Sequence, residues 1–488
     1  MSGIVCFAGK KNQQLITGAL RRLRHRGPHR QGVIDAGALQ IGYTAFTQGT
    51  GNNPDDAGQE FYRDQKGAVL FDGFLYNGGG LLAARAVLEL YRKRGKNFLN
   101  LLDGIFALAV SNGDDFLLAR DSFGLKPLYY GEHPDGLLFA SELKALAPFC
   151  RQVHLFPPGN YYTPTEGFVP YFEFERDILQ KEAWPAGPQE AAGLIRTLLK
   201  EAVARRLRVL SPRSPAVLLS GGLDSSCVAA VTAAQAGKIQ TFSVGYRNSR
   251  DLRFAREVAA WLGTEHYEYQ YDEKEMKEVL PQVIYHLESF DASLVRGAVA
   301  NFLAAKLARA RGAGFAFMGE GADELFGGYH YLKHKDSREV AQELQKITTG
   351  GHNIGFQRVD RMTAAHGIQC DMPFMDRELV RLTFSLPVEW KIKAGETEKW
   401  ILRLAFENQL PKDIIWRRKD EFSVGAGSAE VMAEIAEKQI SDGEYVKERE
   451  PAGDFVLNSK EELLYYRIFR KYFPQPSVLA TVGRWRPV

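Results

Sequence analysis

Residues 214–226 read Ser-Pro-Ala-Val-Leu-Leu-Ser-Gly-Gly-Leu-Asp-Ser-Ser. The apolar run from Ala216 to Leu219 has the length and content of a buried strand, Ser220-Gly221-Gly222 ends it, and Asp224 opens a run through Cys227, Val228, Ala229 and Ala230 that suits a helix. This order of pieces makes an anion cradle. Two glycines let backbone N–H groups approach a phosphate, the helix start adds unsatisfied donors, and the hydroxyls of Ser220, Ser225 and Ser226 complete the shell. Asp224 would repel a phosphate directly, so its expected task is to hold a divalent cation between itself and the phosphates. The Gly-Lys-Ser/Thr ending of a P-loop is missing.

Working outward, Ala192 to Arg206 reads as a helix, Ile239 to Val244 as the next strand, Leu252 to Leu262 as a helix and His266 to Tyr269 as a further strand. Such alternation predicts βα units, a parallel sheet, and a ligand crevice beyond the C-terminal strand ends. A second strand end, Phe315-Ala316-Phe317-Met318, empties into Gly319-Glu320-Gly321-Ala322-Asp323-Glu324-Leu325-Phe326-Gly327-Gly328-Tyr329. Glycines around carboxylates suit a loop that folds tightly on a nucleotide and offers oxygen ligands to Mg²⁺ or a base to a reacting group.

The 488 residues allow two or three domains, and two are expected. Lys plus Arg is 62 and Asp plus Glu 59, so no global field argues for nucleic acid or an anionic membrane. Arg21, Arg22, Arg24, Arg26 and Arg30 are expected to be a solvated helix end leading into a loop. Four cysteines without metal-ligand spacing, and the lack of an 18-residue apolar run, lead us to expect a soluble, cytoplasmic chain in a reducing compartment.

The first third is strand-rich. Ile4 to Ala8, Ile41 to Phe46, Ala68 to Phe71, Phe106 to Val110, Phe116 to Ala119, Pro127 to Tyr130 and Leu137 to Ala140 read as strands, with helices at Gln14 to Arg24 and Leu81 to Arg94. Within it stand Arg26-Gly27-Pro28, Asp72-Gly73-Phe74-Leu75-Tyr76-Asn77, Asp103-Gly104-Ile105-Phe106-Ala107, Arg120-Asp121-Ser122-Phe123-Gly124-Leu125-Lys126-Pro127 and Ser141-Glu142-Leu143-Lys144. Together these motifs resemble the glutaminase domain of glutamine-hydrolysing asparagine synthetases. The resemblance implies an Ntn-hydrolase-like αββα sandwich over residues 1–175.

Against that pattern the pocket residues depart. The family's N-terminal cysteine nucleophile is replaced by Ser2, a poorer nucleophile that its own amine could still activate. Where the family has Asn-Gly to hold the oxyanion, the chain has Asp72-Gly73, and an ionised carboxylate there would oppose the charge that develops. Phe74 replaces a substrate-holding glutamate, the family's arginine near Tyr43 to Thr47 is missing, and the stretch after Asn77 is shortened to Gly78-Gly79-Gly80-Leu81. These departures lead us to expect a glutaminase-like scaffold without glutaminase activity. Cys6, inside a core strand, is not expected to stand in as nucleophile.

The resemblance continues through the ATP-pyrophosphatase domain of the same family, placed at 190–475 with a tail at 476–488, so the fold class expected is α/β with a parallel sheet in this second domain. What it implies is AMP-forming chemistry: ATP and Mg²⁺ activate a small-molecule carboxylate as an acyl-adenylate, and ammonia or another amine attacks. By position, Ser220, Gly221, Gly222, Asp224, Ser225 and Ser226 resemble the pyrophosphate loop, Asp224 and Asp323 the Mg²⁺ ligands, and Val244 and Gly245 the adenosine-facing segment. Glu320 resembles the glutamate near the adenylate, Tyr329 a residue closing that pocket, Lys419 the lysine that stabilises charge during adenylation, and Lys399 a second phosphate contact. Related β-lactam synthetases place a tyrosine where this chain has Glu320, which favours intermolecular amidation over ring closure. Asp371 replaces a family arginine, reversing charge at an expected substrate pocket. The main expectation is therefore an AMP-forming amide ligase that does not hydrolyse glutamine. The alternatives are a cyclising synthetase or an active ammonia- or glutamine-dependent asparagine synthetase. A homodimer and a separate supplier of ammonia or amine are left open, and neither nucleic acid nor membrane is an expected partner.

Overall fold

The computed structural model describes residues 2–45, 60–76, 84–180, 185–210, 215–247, 249–393, 396–417, 427–451 and 455–485. The chain divides into two compact units, one of Met1–Glu173 with Ala364–Gln369 and Tyr466–Gly483, the other of Phe174–Thr363 with Cys370–Tyr465 and Arg484–Val488.

In the first unit two six-stranded antiparallel sheets stack. One runs in the order Gln152–Leu155, Tyr129–His133, Gly136–Ala140, Ser2–Gly9, Leu39–Ala45, Arg30–Ala36, and the other Gly167–Pro170, Asn160–Thr163, Asp115–Arg120, Gly104–Asn112, Gly67–Leu75, Phe61–Arg63. Period-two alternation sends Ile4, Cys6 and Ile41 of one sheet against Leu70, Ala107 and Leu118 of the other. Opposite faces are covered by helices. Leu15, Ile16, Ala19 and Leu20 of Gln13–Arg22 are buried, and Val87 and Leu88 of Ala84–Arg94 pack on Val69, Phe71, Leu108 and Val110. The result is the expected αββα sandwich. Cys6 is part of its core, where burial pushes the thiol far above its ordinary range and removes it as a nucleophile. Short strands such as Arg30–Ala36 and Gly167–Pro170 go beyond the sequence reading, because four to seven residues with partly polar content carry little periodic signal.

The second unit holds a five-stranded sheet in the order Glu265–Tyr271, Gln240–Tyr246, Ala216–Leu218, Phe315–Phe317, Gln369–Asp371. Ala216–Leu218 pairs in parallel with both Gln240–Tyr246 and Phe315–Phe317. From Ala216–Leu218 the chain winds outward through the strands at 240 and 265, then returns to the other side through those at 315 and 369. The winding direction therefore reverses between Ala216–Leu218 and Phe315–Phe317, and their following loops flank a topological switch point. Among the described residues no helix is long and apolar enough to cross a membrane.

Candidate functional site

The helix Leu223–Ala236 begins at Gly222 with no side-chain cap, so its first-turn N–H groups stay available beside the glycine turn. Ser220 Oγ lies 3.1 Å from Ser225 Oγ and accepts the Gly222 N–H at 3.3 Å, while Ser225 Oγ accepts the Ser220 N–H at 3.2 Å. These local bonds hold the loop in shape. Ser226, one residue further, is fully buried and its hydroxyl has no partner among the described residues. The loop after Phe315–Phe317 comes so near that a Cβ on Gly319 would stand 2.7 Å from Ser225 N. Only glycine permits that approach.

A cleft of about 260 Å³ opens over the two loops, and Ser220, Gly222, Asp224, Ser225, Val244, Glu320, Asp323, Tyr329 and Lys399 line it. Its centre is an ion triad. Lys399 Nζ donates to Asp224 at 2.5 and 2.6 Å and meets Asp323 Oδ1 at 2.5 Å. Burial by itself would lower the ammonium's pKa, but the two carboxylates outweigh it and hold Lys399 above its ordinary value. Lys399 also adopts a left-handed backbone, φ 55°, at the start of Trp400–Phe406, an unfavourable conformation for a side-chain-bearing residue and one that clusters at functional sites. A Cβ on Gly328 would fall 1.8 Å from Asp323 Oδ1 and 2.3 Å from Lys399 Cε.

Beside the triad, Arg358 Nη2 donates to Glu320 Oε1 at 3.2 Å. Burial raises the Glu320 carboxyl above the usual range against the opposing pull of Arg358. Tyr329 OH donates to Glu324 Oε1 at 2.6 Å, and burial with the Glu324 charge holds the phenol well above its usual pKa. Arg417 donates to Gly221 O at 2.9 Å and to Asp251 Oδ1 at 2.8 Å, and packs over the Phe254 ring. Arg358, Arg417, Asp251 and Trp485 line the cleft but were not singled out as site residues from the sequence. Arg358 belongs to an ordinary amphipathic helix, and Arg417 opens a charge run in which the resemblance points to Lys419 instead. Gly245 lies on the strand Gln240–Tyr246 just past Val244. Lys419 lies outside the described residues.

Asp371 is fully buried on the strand Gln369–Asp371, where its carboxylate pairs with Arg206 Nε at 2.9 Å. Asp376 takes the neighbouring charges, 2.5 Å from Arg205 and 3.1 Å from Arg206. Asp371 is not among the cleft-lining residues.

The C-terminal segment reaches the same cleft. Asp291 Oδ1 caps Ala292–Ala310 by accepting the Leu294 N–H at 3.0 Å, and its Oδ2 accepts the Trp485 N–H at 2.9 Å. Burial raises the Asp291 carboxyl from 3.8 to about 6, against the pull of those two donors. Between about pH 4 and about 6 the folded chain keeps a proton that the unfolded chain releases, so the contribution of this group is fully present at the acid end and is lost as pH rises through the folded value. Asp291→Asn removes that dependence. From pH 4 to pH 7 the stability of the variant relative to the wild type should rise by about 3 kcal/mol, the equivalent of about two pKa units. Denaturant unfolding at both pH values measures it, and a stability difference that does not change with pH would show that Asp291 titrates normally.

In the first unit the motif residues gather around Arg26. Its guanidinium is fully buried, so the expectation of a solvated helix end fails at this position. Nη2 donates to Asp72 Oδ2 at 2.8 Å and Nη1 to Glu142 Oε1 at 2.7 Å, while Lys144 pairs with the second Glu142 oxygen. Gly73 continues the strand opposite Phe106, and Phe74, buried, stacks towards Tyr76. Ser2 is the first residue of its strand, opposite Ala45. The next two backbone N–H groups are tied down, Gly3 to Thr44 Oγ1 and Ile4 to Ser141 Oγ, each at 2.9 Å. Asp121 accepts from the Leu125 and Lys126 N–H groups at 2.9 Å each, and Arg120 donates to three carbonyls, which folds the Arg120 to Pro127 motif into a buried polar knot.

A family model described as Asparagine synthase matches residues 194–353 and 352–485, and one described as Glutamine amidotransferase domain matches residues 1–157. The chain is 34% identical over 504 residues to asparagine synthetase [glutamine-hydrolyzing] 3 of Arabidopsis thaliana, covering 95% of this chain and 85% of that one. It is 32% identical over 521 residues to a probable asparagine synthetase [glutamine-hydrolyzing] of Dictyostelium discoideum, covering 96% and 92%. Among solved structures, a glutamine phosphoribosylpyrophosphate amidotransferase from B. subtilis covers 50% of this chain and 67% of that chain at 18% identity, with a TM-score of 0.29, too low to bear on the fold.

These matches overturn the expectation of a ligase that does not hydrolyse glutamine. The amidotransferase model runs through the whole of residues 1–157, and relatives matched along nearly the full chain carry glutamine hydrolysis in their names. The error has a physical source. The sequence reading sets the Asp72 carboxylate against the developing oxyanion, whereas in the structure the Arg26 guanidinium lies 2.8 Å from it and offsets that charge.

Proposed function

Because this chain belongs to the asparagine synthase family, we propose that it makes asparagine from L-aspartate and ATP with ammonia taken from glutamine. It is an ATP-dependent C–N ligase. The observation that carries the nucleotide half is the convergence of Asp224 and Asp323 on one point, beside an uncapped helix start, at the switch point of a parallel sheet.

The residues there fit MgATP. Asp224 and Asp323 both meet the Lys399 ammonium, and two hard carboxylates so close together suit Mg²⁺ as well, which binds through one or two carboxylates and fills its shell with water and substrate phosphates. When bound, Mg²⁺ would neutralise phosphate charge as pyrophosphate leaves. Asp224 and Asp323 would hold it. Ser220, Gly221, Gly222 and Ser225 with the first helical turn bind the phosphates, Ser226 supports the loop from beneath, and Val244 and Gly245 face the adenosine. Lys399 is a further phosphate contact.

In the reaction proposed, a carboxylate oxygen of the acid attacks the α-phosphorus, the bond to the β-phosphate oxygen breaks, and pyrophosphate departs. Ammonia then attacks the acyl carbon and AMP leaves with the bonding pair. Glu320, its carboxyl pKa raised by burial, accepts the proton that the nitrogen sheds, and Lys419 offsets charge on the adenylate. Tyr329 closes the pocket above them. In the first unit Ser2, freed as the N-terminus, attacks glutamine with its own amine as base. Gly73 and the Arg26–Asp72 pair shape the surroundings of that carbonyl, and Phe74 gives them an apolar wall.

Supplying ATP, L-aspartate and glutamine labelled at the amide nitrogen tests this directly. AMP, pyrophosphate, glutamate and labelled asparagine should form in equal amounts. AMP formed from ammonium but never from glutamine would sink the glutamine half of the proposal.

A further inference from the structure

Two independent anchors fix Trp485 in the cleft. Its own N–H is held by Asp291 at 2.9 Å. The preceding residue, Arg484, donates to Val456 O at 2.6 Å, pairs with Glu462 and lies 4.7 Å over the Phe455 ring. Asp291, Glu462 and the Arg484 side chain are nearly all buried, so the clamp is a packed feature of the unit.

The indole has one partner of chemical interest. Its ring centroid is 4.8 Å from that of Tyr329, whose hydroxyl is bonded to Glu324. Elsewhere the indole leans on the cluster of Leu332, Val340, Leu344, Ile347 and Ile392. The helix Ala292–Ala310 links this wall to the carboxylate chemistry, because its cap Asp291 holds Trp485 while Gly297, in its second turn, abuts Arg358, the partner of Glu320. Tyr329, Trp485, Ser293 and the Glu320–Arg358 pair all line the cleft.

We propose that Trp485 is a specificity-determining residue, a rigid wall that limits how far the acid substrate can extend in the cleft. This rests on the AMP-forming reaction proposed above and adds the residue that selects its acid. A rigid indole backed by an apolar cluster cannot yield to an added methylene, and such a wall discriminates by about ten- to two-hundredfold per methylene.

The test compares wild type, Trp485→Ala and Trp485→Phe by pyrophosphate release, with ammonium as nitrogen source and L-aspartate or L-glutamate as acid. Trp485→Ala should raise KM for L-aspartate about tenfold or more, leave KM for ATP within about twofold, and reduce the preference for aspartate over glutamate by about tenfold. Trp485→Phe keeps a flat ring on the same cluster and should recover most of the preference. It also guards against a Trp485→Ala variant that fails to fold. An unchanged acid preference in both variants, or equal rises in KM for acid and ATP, would overturn the assignment. Failure of the underlying reaction shows separately, as absence of aspartate-dependent pyrophosphate release by the wild type.

Discussion

Replacing Lys399 with methionine should cut ATP-dependent pyrophosphate release by about a thousandfold or more, the scale of losing a preorganised charge contact in a water-poor site. The ammonium is nearly buried and is the cation between Asp224 and Asp323. Methionine preserves the length of the stem and removes the charge, so two carboxylates are left facing each other and each raises the other's pKa. Truncating one member of a buried charge group costs about 3–5 kcal/mol. Here both carboxylates are 23% exposed to the cleft, and water recovers part of that loss. The variant should therefore fold while failing in turnover. Lys399→Arg should fail as well, because a planar fork does not fit where a point charge meets three carboxylate oxygens. Pyrophosphate release and thermal unfolding, measured together on the three proteins, check both halves. A folded methionine variant with wild-type turnover would remove Lys399 from the phosphate site.

Ser2→Ala separates the two chemistries. Glutamate release and glutamine-dependent asparagine formation should fall by about a thousandfold or more, while the ammonium-dependent rate stays within about twofold, because the residues proposed to adenylate the acid belong to the other unit. Ser2→Cys should act in the opposite direction, since a thiol reaches its anionic form far more readily than a hydroxyl. The backbone argues for a fixed nucleophile position. Residue 2 begins a strand whose next two N–H groups are bonded to Thr44 and Ser141. Assays with glutamine and with ammonium as alternative nitrogen sources give the ratio directly, and a Ser2→Ala enzyme that still used glutamine would place the nucleophile elsewhere.

What could be read from the residues depended on how local the signal was. The strand, turn and helix around Ser220 to Ser226 and the glycine-bounded acids of 319–329 are contiguous, so their placement at neighbouring strand ends follows from chain pattern and sheet winding. Charge compensation is not contiguous. Arg26 neutralises Asp72 across 46 positions and Lys399 reaches Asp224 across 175, and nothing in the spacing of either residue announces its partner. That is why the sequence shows neither the partner of Asp72 nor that of Lys399. Asp371 shows the same gap: its identity suggested a pocket of reversed charge, whereas its neighbour in space is Arg206. Trp485 carries no periodic signal at all, and its position shows only in contacts distant in sequence, with Asp291 and Tyr329.

The closeness of Gly328 to its surroundings has a consequence for heredity. A methyl group at that position would overlap both Asp323 and Lys399, with 1.8 Å to a carboxylate oxygen. Every charged and polar group of the cleft would still be encoded, yet Asp323 and Lys399 would have to leave the positions they take in the triad. A gene for this chain can thus disturb the triad by a substitution that changes no charge and no hydrogen-bonding side chain. A survey of alleles that weighed only reactive residues would score that change as silent.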